Sequence, residues 1–110
     1  MSDRRKQLES RFQKNLIAEL HEMLPGALIY KNETVQGIPD LTVLWGKHWA
    51  LLECKRETDA SKRPNQPYYV ELANRMSFGR FIYPENKQEV LNDLQQAWGI
   101  GRETRDPESE

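Results

Sequence analysis

The chain has 110 residues, 37% hydrophobic and 30% charged, with a formal net charge of −1. That length supports one compact domain with a modest core, and the composition is that of a soluble globular protein with a well-solvated surface. No apolar run approaches the roughly 18 residues that span a bilayer, and the charged opening from Met1 to Lys6 is unlike a secretion signal.

Residues 3–24 read as a long helix, because Leu8, Phe12, Leu16, Leu20 and Met23 recur at spacings of three or four and share one face. Pro25-Gly26 ends it, since proline cannot continue a helix and glycine eases the turn. Residues 27–31 suit a short strand and residues 32–37 a polar loop. Residues 39–45 and 49–55 read as two further strands, with Gly46-Lys47 as the tight turn of a hairpin. Residues 56–64 form a flexible basic loop. A second helix is predicted from about Asn65 to Met76, with Tyr69, Leu72 and Met76 on one face, and Ser77 to Gly79 break it. Residues 80–83 make a short fourth strand. Asn86 followed by Glu89 resembles a capping box opening a third helix, whose apolar face is Val90, Leu91, Leu94 and Trp98. Gly99 and Gly101 close that helix. The order α-β-β-β-α-β-α predicts an α/β sandwich with a mixed sheet, a single domain over 1–101, and a disordered acidic tail over 102–110.

Charge is unevenly spread. The first 14 residues carry Arg4, Arg5, Lys6, Arg11 and Lys14 against Asp3 and Glu9, a local excess of three positive charges. Arg56, Lys62 and Arg63 add a second basic group in the loop after the third strand. Together these side chains are the candidates for gripping phosphates. Cys54 is the only cysteine, which excludes an intrachain disulfide and fits a reducing, cytoplasmic setting. His21 and His48 lack a metal-binding spacing and read as surface or boundary imidazoles.

The chemistry gathers in the hairpin. Gly37-Ile38-Pro39-Asp40 opens one strand, and Glu53-Cys54-Lys55 closes the next. Alternation along a strand sends Glu53 and Lys55 to one face and Leu52 and Cys54 to the other. The run Trp49-Ala50-Leu51-Leu52 is apolar, so a carboxylate and an ammonium emerge directly from a buried strand, which is costly unless they pair or bind something. A short turn at 46–47 brings the start of one strand beside the end of the other, so that Asp40 and Glu53 converge. Two converging carboxylates suit a hard divalent cation such as Mg²⁺, with Mn²⁺ as a substitute. Such a cation polarises a phosphoryl oxygen and lowers the pKa of a bound water. Lys55 stands where it can hold or deprotonate that water or neutralise developing charge. Glu9 falls inside the apolar stripe of the first helix, where a carboxylate faces the sheet. Glu19 is its rival, at the stripe's edge and nearer the helix's far end.

This pattern resembles the PD-(D/E)xK nuclease superfamily, and in detail it is similar to the virus-type replication-repair nuclease (VRR-NUC) family, which includes small phage-type Holliday-junction resolvases. The likeness runs from about Leu8 to Tyr83. Glu9, Asp40, Glu53, Lys55 and Gln66 fill, in order, the family's helix Glu, Gly-x-Pro-Asp, Glu-x-Lys and helix-opening Gln. The resemblance implies a restriction-endonuclease-like α-β-β-β-α-β core. It implies Asp40, Glu53 and the Cys54 backbone carbonyl as metal ligands, Glu9 as a ligand directly or through water, and Lys55 as the catalytic lysine. Gln66 is the weaker match, with Pro67 an oddity beside it. The implied function is a Mg²⁺-dependent endonuclease acting on DNA, structure-specific for branches or junctions, working as a homodimer in the cytoplasm (the host's, if phage-encoded). The alternatives are a nicking, homing or restriction-type enzyme with sequence preference, and a non-catalytic DNA-binding module on the same fold.

Overall fold

The computed structural model describes residues 2–33, 38–55 and 66–100, and side chains within those ranges except at 2–7 and 66. Its elements run α1 (Ser2–Met23), β1 (Leu28–Lys31), β2 (Leu41–Trp45), β3 (His48–Cys54), α2 (Gln66–Met76), β4 (Gly79–Ile82) and α3 (Lys87–Trp98). The order is the expected one. The sheet is mixed, in the order β1-β2-β3-β4: β1 and β3 lie antiparallel to β2, and β4 lies parallel to β3. The β2–β3 hairpin turns at Gly46, whose φ of 62° is the left-handed backbone that a tight hairpin requires. No helix among the described residues is long and apolar enough to cross a membrane.

Alternation along the strands divides the sheet into two faces. One face carries Leu41, Val43, Ala50, Leu52, Cys54 and Ile82 into a core shared with Leu16, Leu20 and Leu24 of the α1 region and with Val90, Leu91, Leu94 and Trp98 of α3. A fully buried leucine is worth about 1.5–3 kcal/mol, so Leu16 and Leu20 hold α1 to the sheet. Leu8, expected on the same stripe, is instead 38% exposed, and the helix's buried apolar contacts concentrate towards its C-terminal half. Glu19 Oε2 accepts a bond from Lys87 Nζ at 2.6 Å, which joins α1 to the start of α3.

On the opposite face, α2 crosses from β3 to β4. The sequence predicted contact through Tyr69, Leu72 and Met76. The helix instead packs through its small residues: Val70 and Ala73 are buried, Tyr69 and Leu72 are half-buried, and Met76 is 62% exposed. The reason lies in β4. A Cβ on Gly79 would lie 2.8 Å from both Ala73 Cβ and the Asn74 nitrogen, so the helix backbone rests almost directly on the strand. A bulky ridge would hold it off.

The capping box at Asn86 does not form. Asn86 makes no side-chain cap bond to α3. Its Oδ1 accepts from the Tyr83 amide at 2.9 Å, and its Nδ2 donates to the Phe81 carbonyl at 3.1 Å. The side chain is consumed in closing the turn after β4. At the other end α3 stops as predicted, on Gly99 in the left-handed conformation (φ 71°).

Candidate active site

Asp40, Glu53 and Lys55 come together at the open end of the β2–β3 hairpin. Register carries them there: Leu41 pairs with Leu52, so Asp40, just before β2, faces Glu53 near the end of β3. Two crossed bonds lock the meeting. The Asp40 amide donates to Glu53 Oε1 at 3.1 Å, and the Cys54 amide donates to Asp40 Oδ2 at 3.1 Å. Lys55 Nζ lies 3.7 Å from Glu53 Oε2. Glu53 is only 2% exposed and Lys55 8%, which are unusual burials for charged residues. The Lys55 backbone is held too, since its amide donates to the Ile82 carbonyl at 2.9 Å and extends the β3–β4 ladder past the end of β3.

Electrostatics mark the same spot. The Glu53 carboxyl is pushed up from 4.5 to about 7. Burial is the largest cause, the Asp40 charge adds to it, and Glu9 adds a smaller push. Lys55 and the bond from the Asp40 amide pull the other way without cancelling the rise. Glu9, half-buried on α1, therefore contributes its field to this cluster, as its place in the helical stripe anticipated. Cys54 is fully buried, and burial followed by the Asp40 charge pushes its thiol far above the usual range, so it stays protonated.

Two residues that the sequence reading passed over hold the site in place. Asn32, just after β1, donates through Nδ2 to the Pro39 carbonyl at 3.0 Å and to Thr42 Oγ1 at 2.8 Å. Its backbone amide donates to the Asp40 carbonyl at 2.7 Å. These bonds clamp the residues on both sides of Asp40. Gln13, one helical turn after Glu9, brings its side chain beside the Cys54 thiol at the end of β3, where it opposes the upward push of burial. Its position at i+4 from Glu9 was the available signal.

The remaining candidates divide. Arg11 and Lys14 are exposed on α1. Arg4, Arg5 and Lys6 lie within α1, and Gln66 is the first residue of α2, but their side chains fall outside the described residues, as do Arg56, Lys62 and Arg63 altogether. Both histidines stand apart from the cluster: His21 is exposed at the end of α1, and His48 stacks 5.0 Å from Trp98 at the turn end of the hairpin.

The donor set suits a small, hard divalent cation. Among the described residues, no three His, Cys, Asp or Glu side chains close into a ready cluster. A cation here would rest on two carboxylates, with a backbone carbonyl such as that of Cys54 and water to complete its shell. That is the habit of Mg²⁺, which keeps several waters and takes one or two carboxylates. Burial and, after it, the Asp40 charge raise Glu53, and such an ion would offset both. Compared with protein-family models, with characterised proteins and with solved structures, the chain matches none.

Proposed function

We propose that this chain is a Mg²⁺-dependent DNA endonuclease of the PD-(D/E)xK type, VRR-NUC-like, acting on branched or junction DNA. One observation carries the reading: Asp40 and Glu53 are locked together by crossed bonds at the open end of a hairpin, with Lys55 buried 3.7 Å from Glu53. Burying two ionisable groups beside a half-buried carboxylate costs stability, and a fold keeps such a cluster where function uses it.

Asp40, Glu53 and the Cys54 carbonyl would hold the cation. When bound, it supplies Lewis-acid polarisation of a phosphoryl oxygen and a lower pKa for a coordinated water. Lys55 would orient the attacking water and neutralise charge building on the phosphate, from a position fixed by the Ile82 carbonyl and by Glu53. Glu9 adds negative field from α1 and would hold the ion directly or through water. Arg11 and Lys14 on the exposed surface of α1 give the phosphate backbone cationic contacts. Cutting both strands of a junction needs two sites, so two-fold self-association belongs to the proposal.

The test is cleavage of a labelled four-way junction beside linear, nicked and single-stranded controls, in Mg²⁺ and in EDTA. Mg²⁺-dependent cutting of the junction, lost in Asp40→Ala, is the expected result. Cutting of a linear duplex at one locus would move the assignment to a sequence-directed nuclease. Junction binding without cleavage in any divalent metal would leave a binding module. Sedimentation with and without the junction tests the dimer, and a monomer in both conditions overturns that part.

A further inference from the structure

A groove of about 410 Å³ runs between α2 and β4, lined by Pro67, Val70, Glu71, Asn74, Gly79, Arg80 and Phe81. It adjoins the acidic cluster, because Phe81 is the register partner of Glu53 across the parallel β3–β4 ladder. Arg80 stands one residue earlier on β4. Its Nη1 donates to Asn74 Oδ1 and, at 2.9 Å, to the Gly79 carbonyl, while its Cζ lies 4.3 Å from the centroid of the Phe78 ring. A long side chain is thus held in one place by two acceptors and an aromatic face. Both of those bonds use one nitrogen, and a guanidinium has three more N–H donors on its other two nitrogens.

We propose that this groove is a nucleic-acid subsite in which Arg80 takes a backbone phosphate of the strand beside the scissile bond. The proposal rests on the nuclease reading and extends it to a contact outside the acidic cluster. Three features select this ligand. The guanidinium is held in advance, so little rotamer freedom is lost on binding. The floor beside it is Gly79, whose missing side chain lets α2 pack directly on β4 and brings Asn74 to the guanidinium. The wall carries the Glu71 carboxylate, which repels any anion, so a phosphate is held here only as part of a polymer anchored at other points as well. Pro67, Val70 and Phe81 supply apolar surface along the same path.

The test compares wild type, Arg80→Gln, Arg80→Lys and Glu71→Gln for binding of a labelled four-way junction in EDTA over a range of salt, and for steady-state cleavage in Mg²⁺. Arg80→Gln is expected to weaken binding roughly five- to tenfold at low salt, to flatten the plot of log affinity against log salt by about one unit, and to raise KM with little change in kcat. Arg80→Lys keeps the salt slope, since the charge remains. Glu71→Gln tightens binding, an effect that a merely structural residue would not produce. If wild type cleaves while Arg80→Gln retains both affinity and salt slope, the subsite is wrong and the nuclease reading stands. If wild type neither binds nor cleaves nucleic acid, both fall. Should Arg80→Gln fail to fold, Glu71→Gln decides the matter, and unchanged affinity in that variant overturns the subsite.

Discussion

The Asp40 amide donates to Glu53 Oε1, and the residue after Glu53 returns a bond from its own amide to Asp40 Oδ2, each at 3.1 Å. The two acidic residues therefore fix each other's place through acceptor oxygens, while burial, with the Asp40 charge added to it, raises the Glu53 carboxyl to about 7. Geometry and charge can be separated here, because Asn and Gln offer the same acceptors without the charge.

Asp40→Asn keeps an oxygen for the Cys54 amide. The weaker neutral bond costs about 1 kcal/mol, and relief of repulsion with Glu53 offsets it. The variant is expected to melt close to wild type and to lose more than about 100-fold in Mg²⁺-dependent cleavage. Paired thermal melts and junction cleavage check this. Full activity in a well-folded variant would remove Asp40 from the chemistry.

Glu53 makes stability depend on pH. Its folded value lies above its unfolded one, so the folded protein holds the extra proton between about 4.5 and 7. The contribution is complete below 4.5 and is lost as pH rises through 7, a loss of about 3 kcal/mol in the absence of metal. Denaturant melts in EDTA at pH 5 and pH 8 should show wild type losing stability over this window and Glu53→Gln losing much less. Millimolar Mg²⁺ at pH 8 should restore wild type and leave the variant unchanged. Parallel curves for the two proteins would refute the coupling.

Lys55 is the cation nearest Glu53 among the described ion pairs, and its charge lowers the Glu53 carboxyl. Lys55→Met removes that counterweight, so the Glu53 titration moves further up. Divalent-metal binding by calorimetry should persist at pH 8, while single-turnover cleavage falls about 10²–10⁴-fold. Turnover within tenfold of wild type would confine Lys55 to a structural role.

Gly79→Ala tests the α2–β4 contact. The added methyl meets Ala73 Cβ and the Asn74 nitrogen at 2.8 Å, so the helix must shift. A loss of about 1–3 kcal/mol in chemical denaturation is expected. Because the groove and β4 move with the helix, DNA affinity should fall along with stability. An unperturbed melt would show that the helix lies further from the strand.

Much of the site was legible from local pattern. An apolar run leading into Glu-x-Lys, a hairpin turn at 46–47 and Gly-x-Pro-Asp on the adjoining strand were enough to place Asp40 beside Glu53. The α3 face of Val90, Leu91, Leu94 and Trp98 was equally plain, and all four are buried. The misses have a common cause. Asn86 has the chemistry of a helix cap, yet its oxygen goes to the Tyr83 amide. Asn32 lies in a polar stretch that reads as loop, yet it holds Pro39, Asp40 and Thr42. A polar side chain near a chain turn has several possible partners, and sequence does not rank them.

What the sequence determined by itself is whatever depends on spacing along the chain: the helix stripes, the alternation of the strands, the turn, and the presence of two carboxylates and a lysine at strand ends. Those follow from backbone periods of 3.6 and 2, which are local properties. The tertiary structure decided the rest. It chose the small-residue face of α2 because Gly79 lies beneath it, it aimed Arg80 into a groove by way of Asn74 and Phe78, and it raised Glu53 by burying it beside Asp40 and within the field of Glu9. Burial, close packing and charge fields depend on neighbours in space, and those neighbours come from elements far apart in the chain.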